Sequence, residues 1–205
     1  TTRRDFLRLS AMAGGALGTG AMDLAAATDA GSSPASVGRA DSPLKILVLG
    51  GTGLIGPPLV EYALARGHEV TLFNRGKTNT HLFPGVEKLV GDRNGNLEAL
   101  SGRRWDVCFD NNASRIEWVK YSTEFLADSV DRYHYVSSRS AYSDLSSIPM
   151  GIHAPTFTYE TAGVEPGADR LPYGLQKALC ERQVQKVFPD NSAIFRPGLI
   201  IGPGD

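Results

Sequence analysis

Two side chains four residues apart offer the clearest acid–base chemistry in this sequence. They are the ends of Tyr173-Gly174-Leu175-Gln176-Lys177, and residues at this spacing share one face of a helix. A nearby ammonium favours the phenolate and lowers the pKa of a tyrosine, which is about 10 in an unperturbed residue. The pair therefore predicts a proton donor and acceptor that works near neutral pH, although surface helices also show this spacing by chance.

Two serines could supply a hydrogen-bonding partner for the same reaction. Ser137 and Ser138 follow a predicted strand that ends at Val136. Ligands of open parallel sheets bind beyond the carboxyl ends of the strands. A hydroxyl at this point could hydrogen-bond the substrate oxygen whose proton is transferred. The alternative is a serine-rich turn that satisfies its own backbone.

A glycine-rich segment predicts where a phosphate-bearing cofactor would lie. Residues 50–56, GGTGLIG, follow the apolar run 45–49 and precede a helical pattern. Glycines at this spacing allow a sharp turn and a close approach of bare backbone to a pyrophosphate. The following helix presents free N–H groups to the phosphates. A chance glycine-rich turn between a strand and a helix is the alternative.

The elements that must position these residues alternate between strand and helix. We predict strands at 44–49, 69–73, 86–90, 105–109, 133–136 and 193–196, and helices at 59–66, 116–129 and 174–187. This alternation predicts an α/β fold, a doubly wound parallel sheet with helices on both faces. Pro57 and Pro58 directly follow the glycine segment, so we expect the first helix to start late or to open with a distorted turn.

Four motifs together resemble the extended short-chain dehydrogenase/reductase superfamily, in particular its NAD-dependent epimerase/dehydratase group. They are the glycine segment 50–56, Ser137-Ser138, Tyr173 with Lys177, and Arg196-Pro197-Gly198 running into residues 201–204. The resemblance implies a Rossmann-type domain over residues 44–205. Members of this family usually continue for another hundred or so residues, so we expect a C-terminal substrate lobe to be missing.

The resemblance also implies roles for individual residues. Tyr173 would be the acid–base group, Lys177 would lower its pKa and bind the cofactor ribose, and Ser138 would orient the substrate oxygen, with Ser137 as the fallback. The residues implied to bind the cofactor are Gly50, Thr52, Gly53, Leu54, Ile55, Gly56, Asn74, Arg75, Asp92, Asn111, Asn112 and Lys177. Asp92 would contact the adenine, and the two asparagines would line the nicotinamide side. Each of these three could equally serve an ordinary turn.

The end of the second predicted strand indicates which nicotinamide cofactor is preferred. An acidic residue there would bind the ribose 2′-hydroxyl and repel a 2′-phosphate. The sequence instead has Asn74 and Arg75, followed by Lys77. A neutral side chain beside an arginine favours a 2′-phosphate, so we predict NADP first and NAD second. An ordinary solvent-facing loop cation is the alternative for Arg75.

The N-terminal segment is typical of an export signal. Arg3-Arg4 precede a mildly apolar stretch at 9–22, which is too short to span a bilayer, and Ala25-Ala26-Ala27 offers a cleavage pattern. Residues 1–27 resemble a twin-arginine signal peptide and 28–43 a flexible linker. This predicts a periplasmic or secreted protein without a stable membrane anchor after cleavage. Little free cofactor exists there, so we expect the cofactor to stay bound and to be regenerated in each cycle.

Composition narrows the classes of partner. A net charge of −1 without a basic stripe argues against nucleic acid, and the four histidines show no metal-binding spacing. We expect a small-molecule substrate, no metal, buried free thiols at Cys108 and Cys180, and a homodimer if the protein oligomerises.

Three functions fit these features. The first is epimerisation or dehydration of a sugar-like substrate, free or nucleotide-linked, by transient hydride transfer. The second is a net NADP-dependent reductase or dehydrogenase of the same superfamily. The third is a non-catalytic relative that senses cofactor or associates with RNA.

Residues 144–170 could form either a loop over the site or an inert surface loop.

Overall fold

A computed structural model describes residues 37–111, 113–146 and 151–202. The strands are β1 (Lys45–Leu49), β2 (Glu69–Asn74), β3 (Glu87–Val90), β4 (Trp105–Asp110), β5 (Val130–Val136) and β6 (Ser192–Phe195). The described helices are α1 (Gly56–Ala65), α2 (Ile116–Leu126) and α3 (Tyr173–Val187). All six strands pair in parallel in the order β3-β2-β1-β4-β5-β6. The predicted Rossmann-type, doubly wound α/β fold is confirmed.

The central strand β1 shows why the sheet is covered on both faces. Successive side chains of a strand point to opposite faces. Ile46 and Val48 pack with Val60 and Ala63 of α1 in one buried cluster. Leu47 and Leu49 belong to a second buried cluster, which includes residues of α2 and α3. The continuous apolar run of β1 is therefore the signature of a strand buried on both sides.

The first helix begins earlier than the sequence suggested. Pro57 and Pro58 lie within the first turn of α1, which starts at Gly56. The first N–H groups of a helix have no intrahelical acceptor, so both prolines fit without removing a bond. The expectation of a late start was therefore wrong.

Strand β5 begins three residues earlier than predicted, and α2 ends three residues earlier. Val130 is buried and pairs with Trp105 in the sheet, whereas Asp131 and Arg132 are exposed. These two charged residues interrupt the apolar pattern from which the start of the strand was predicted.

Among the described helices, none is long and apolar enough to cross a membrane.

The predicted signal peptide and part of the predicted linker fall on residues 1–36, outside the described residues. Within the rest of the linker, the Ala40 N–H donates to the Arg66 carbonyl at 2.8 Å, at the end of α1.

Candidate functional site

The glycine segment forms a tight turn directly beyond β1. Gly50 adopts a positive φ of 88°, and its N–H donates to the Phe73 carbonyl of β2 at 3.0 Å. A Cβ on Gly56 would collide with the backbone of Gly51, so α1 lies directly against the turn. A Cβ on Gly53, in contrast, would meet no heavy atom within 4 Å. The turn therefore keeps one bare stretch of backbone facing open space.

A first cavity of about 410 Å³ opens onto this bare backbone. It lies where the strand order reverses between β1 and β4, which is the usual ligand crevice of such sheets. The residues that line it include Gly50, Thr52, Gly53, Asn74, Arg75, Lys77, Asp92, Arg93, Ser114 and Trp118. Backbone N–H groups and cations meet there, which suits a pyrophosphate and an adjacent phosphate.

Asn74 and Arg75, which the sequence predicts to bind the cofactor, both line the first cavity, but their side chains have different surroundings. The Asn74 side-chain oxygen accepts from the Gly76 N–H at 2.8 Å, so it closes a turn. Arg75 is exposed and lines the cavity. Asn79 donates from Nδ2 to the Thr52 carbonyl at 3.0 Å, which ties this loop to the glycine turn. Arg75 is thus exposed to a ligand in the cavity, whereas the Asn74 oxygen is engaged in the turn.

Asp92 also lines the first cavity, and one of its oxygens is engaged. Its Oδ1 accepts from the Asn94 N–H at 3.0 Å in a tight turn. The position of Asp92 therefore fits both an adenine contact and an ordinary turn, because the turn uses one carboxylate oxygen and leaves the other.

An ion pair that sequence reasoning did not single out forms part of the same wall. Arg93 contacts the Asp110 carboxylate at 2.5 Å, and the Tyr133 hydroxyl donates to the other Asp110 oxygen at 2.7 Å. Burial alone would lower the pKa of Arg93, but the adjacent carboxylate outweighs burial and raises the pKa. The available signal was Asp110, a charged residue that ends β4 directly after the apolar run 107–109.

A second cavity of about 740 Å³ contains the candidate catalytic residues. Ser138, Tyr173 and Lys177 all line it, together with Ile55 and Asn111. Ser114 lines both cavities, so the two adjoin. Asn111 is only 7% exposed, and in the part of the chain that the structure describes its Nδ2 has no hydrogen-bond partner. This buried donor is available to a ligand. Asn112, the other asparagine predicted here, lies outside the described residues.

Lys177 is held inside the protein by three acceptors. Its Nζ donates to the Ala113 carbonyl at 2.8 Å, the Val136 carbonyl at 2.9 Å and the Tyr135 hydroxyl at 3.1 Å. Burial lowers the pKa of Lys177, and the negative charge of Asp110 opposes this shift. An ammonium has three N–H donors, so these contacts with the described residues use all of them, and none goes to the Tyr173 hydroxyl.

Tyr173 and Ser138 remain accessible to a ligand. Tyr173 is the first residue of α3 and is 51% exposed. Ser138 Oγ accepts from the Ser140 N–H at 3.1 Å at the start of a short 3₁₀ turn, Arg139–Ala141. This contact uses the Ser138 oxygen as an acceptor and leaves its O–H free to donate.

Ser137 has a structural role instead. Its hydroxyl donates to Glu181 at 2.5 Å, and Arg196 donates to the same carboxylate from Nε at 2.9 Å and Nη2 at 2.7 Å. Glu181 is 2% exposed, and a buried carboxylate requires such partners. The Ser137 proton is therefore committed to Glu181, which favours Ser138 over the fallback. Glu181, one turn after Lys177, was not recognised from sequence.

Two residues predicted to bind the cofactor, Leu54 and Gly56, line neither cavity. Leu54 has a side chain that is 44% exposed, and Gly56 is buried under the turn. Cys108 and Cys180 are buried free thiols, as predicted; burial raises the pKa of Cys180 to about 11, so this thiol stays protonated at neutral pH.

Comparisons with known proteins agree with this geometry. Residues 46–91 match the family described as NAD dependent epimerase/dehydratase. The chain is 32% identical over 178 residues to a 2-alkyl-3-oxoalkanoate reductase of Stenotrophomonas maltophilia (strain K279a), covering 79% of this chain and 52% of that protein. It is 33% identical over 126 residues to the chloroplast stem-loop binding protein of 41 kDa b of Arabidopsis thaliana, covering 54% of this chain and 33% of that protein.

Among solved structures, the Bordetella bronchiseptica enzyme WbmG in complex with NAD has a similar fold. The TM-score is 0.61 at 20% identity, with 80% of this chain and 57% of that chain covered. The chain thus spans about half the length of the reductase and of this structure, and a third of the chloroplast protein.

The residues at the first cavity fit a nicotinamide dinucleotide. The observation that carries this fit is the bare backbone at Gly53, where any side chain would project into open space next to the turn. The family whose description matches residues 46–91 is itself described as NAD dependent.

Proposed function

The comparisons support membership of the extended short-chain dehydrogenase/reductase and epimerase family, and from this premise we propose that the protein is a nicotinamide-dependent enzyme. One observation carries the proposal: two cavities adjoin at Ser114. The first offers bare backbone and cations to a dinucleotide. The second offers hydroxyl groups and an ammonium to the atom that reacts.

Each residue of the second cavity has a role that follows from its contacts. Tyr173 Oη would donate or accept the proton of the substrate oxygen. Ser138 would donate a hydrogen bond to the same oxygen. Asn111 Nδ2 would donate to the cofactor on its nicotinamide side. A bound nicotinamide would supply the hydride acceptor or donor.

Lys177 can bind a ribose hydroxyl only by exchanging one of its present acceptors. The Tyr135 hydroxyl, at 3.1 Å, is the most distant of the three. We therefore propose that this contact is the one replaced when the cofactor binds. The two carbonyl contacts would keep the ammonium positively charged beside the proton-transfer site.

We propose epimerisation or dehydration of a sugar-like substrate, free or nucleotide-linked, as the reaction. In both, the hydride returns to the substrate, so a cofactor that stays bound is reset in each cycle. The family description supports this class. Export by the twin-arginine route would favour it, because little free cofactor is present in the periplasm or outside the cell.

A net reductase is the second candidate, and a specific observation favours it. The curated reductase matches 79% of this chain at 32% identity. A single-turnover measurement of the absorbance of the reduced cofactor would distinguish the two. A reductase would oxidise one equivalent of reduced cofactor permanently, whereas an epimerase would regenerate the starting form of the cofactor.

A non-catalytic role is the third candidate, favoured by the match to the stem-loop binding protein. The net charge of −1 speaks against a strong, purely electrostatic association with RNA.

We propose NADP as the preferred cofactor, with NAD second. Arg75 and Lys77 both line the first cavity. Because the Asn74 side-chain oxygen is used in the turn with Gly76, it is poorly placed to bind a 2′-hydroxyl. Two cations beside the adenosine end would attract a 2′-phosphate.

Replacement of Tyr173 by phenylalanine tests the catalytic proposal. The ring is retained and only the ionisable hydroxyl is lost. We expect turnover to fall by about a hundredfold or more, with cofactor affinity unchanged. Normal turnover in this variant would refute the assignment of Tyr173.

A further inference from the structure

The second cavity has an unbalanced charge. Its lining includes two cations, Arg139 and Lys177, and no carboxylate; the other residues are apolar, serine, asparagine or tyrosine. The carboxylate closest in sequence to Lys177 within α3, Glu181, is buried behind Ser137 and is paired with Arg196. Within the described residues, no acidic side chain of this wall offsets the two cations.

The two cations differ in what they can offer. The three donors of Lys177 are used by Ala113, Tyr135 and Val136. The Arg139 side chain, in contrast, makes no ion pair or hydrogen bond with any residue in the ranges 37–111, 113–146 and 151–202. A guanidinium has five N–H donors in a planar fork. Arg139 is therefore the cation with unused binding capacity.

The backbone fixes Arg139 at the wall of the second cavity. Its N–H donates to the Pro197 carbonyl at 2.9 Å, and its carbonyl accepts from the Tyr142 N–H at 3.1 Å. Its Cδ lies 3.7 Å from the position of a Cβ on Gly198, so the stem runs along the cavity wall. Arg139 also directly follows Ser138.

We infer that Arg139 recognises an anionic group of the substrate, a carboxylate or a phosphate, a few atoms from the reacting carbinol or carbonyl. This inference rests on the proposed function and narrows it: the substrate is an acidic, phosphorylated or nucleotide-linked sugar, or an oxo acid or hydroxy acid if the enzyme is a reductase, and not a neutral polyol. Arginine binds such oxyanions through two parallel hydrogen bonds, which lysine does not reproduce.

Chemical modification of arginine tests anion binding without any need for turnover. The protein is treated with phenylglyoxal in rising concentrations of inorganic phosphate, 3-hydroxybutyrate or neutral 1,3-butanediol, and modified arginines are mapped by mass spectrometry. Arg66, which is partly exposed and lines neither cavity, is the internal control. We expect one of the two anions to protect Arg139 at a concentration at least tenfold lower than the concentration that protects Arg66. Butanediol should protect neither arginine.

The anion that protects best identifies the substrate group as phosphate or carboxylate. Equal protection of Arg139 and Arg66 by both anions would overturn the inference. This outcome is separable from failure of the proposed function, because cofactor binding and the Tyr173→Phe variant do not depend on Arg139.

Variants provide a second, independent measurement. With cofactor present, the protecting anion should raise the melting temperature of the wild type and of Arg66→Gln, relative to chloride at equal ionic strength. Arg139→Gln should lose this stabilisation and Arg139→Lys should keep part of it. Once a substrate is found, Arg139→Gln should raise KM by roughly tenfold to a hundredfold, the range expected for a charge-assisted hydrogen bond. An unchanged anion effect in Arg139→Gln would contradict the inference.

Discussion

Replacing Gly53 by alanine should separate folding from cofactor binding. The added Cβ would meet no heavy atom within 4 Å, and Gly53 is not among the glycines with positive φ. The substitution therefore introduces neither a collision nor backbone strain. Because alanine restricts the unfolded chain more than glycine, we expect a stability change of about 0 to +1 kcal/mol, which is about 0 to +4 °C in melting temperature for a domain of this size.

The affinity of Gly53→Ala for the cofactor should fall, although its stability does not. The methyl group would stand where bare backbone must approach the pyrophosphate. The loss of one backbone hydrogen bond to a charged oxygen amounts to about 1.5–3 kcal/mol, or roughly a tenfold to 150-fold weaker affinity. Calorimetric titration with NADP⁺ measures this directly, and fluorescence of Trp118, which lines the first cavity, provides a second signal.

Two other glycines serve as matched controls. Gly85→Ala also adds a Cβ with nothing within 4 Å, but Gly85 does not line the first cavity. Cofactor affinity should therefore stay unchanged, and stability should change by about 0 to +1 kcal/mol, as for Gly53→Ala. Gly56→Ala would push a Cβ into the backbone of Gly51, so it should destabilise the fold by about 1–3 kcal/mol. An affinity of Gly53→Ala within twofold of the wild type would refute the assignment of this turn to the pyrophosphate.

Three further changes test other parts of the account. Arg75→Glu should weaken NADP⁺ binding at least tenfold while leaving NAD⁺ binding within about threefold, as measured by calorimetry; equal losses for both cofactors would contradict a 2′-phosphate contact. Ser137→Ala should lower stability by about 1–3 kcal/mol, because Glu181 loses a donor, whereas Ser138→Ala should leave the melting temperature unchanged and reduce turnover. Burial, and secondarily the positive charge of Arg132, lowers the pKa of His134, so the folded state disfavours the protonated ring; stability should be complete above the unfolded pKa of about 6.5 and should fall as the pH drops below it, and His134→Phe should reduce this pH dependence in thermal melts.

Much of the fold could be predicted because the periodic signals were strong. The run 45–49 is apolar at every position after Lys45, which is typical of a strand buried on both faces, and the structure has β1 there. The start of β5 was missed because Asp131 and Arg132, both exposed, interrupt its apolar pattern. The first helix was placed too late because two successive prolines were expected to delay its start, although both fit within one uncapped turn.

The candidate site was predictable as far as local motifs reach. Gly53, Arg75, Ser138, Tyr173 and Lys177 all line one of the two adjoining cavities. Their assignment to cofactor and catalysis stays a prediction.

The contacts that distinguish these residues depend on pairs distant in the chain. Ser137 and Glu181 are 44 residues apart, and Arg93 and Asp110 are 17 apart. A single sequence shows that such residues are present but not that they meet. For this reason the choice between Ser137 and Ser138, and the unused guanidinium of Arg139, became visible only in three dimensions.

The most direct test of the central claim is a calorimetric titration of the folded protein, first freed of any bound nucleotide, with NADP⁺ and with NAD⁺. The account predicts one binding site per chain for both dinucleotides, with NADP⁺ bound more tightly. If neither cofactor produced binding heat with protein shown to be folded by circular dichroism, the assignment of the cavity at Gly53 to a nicotinamide dinucleotide would be contradicted.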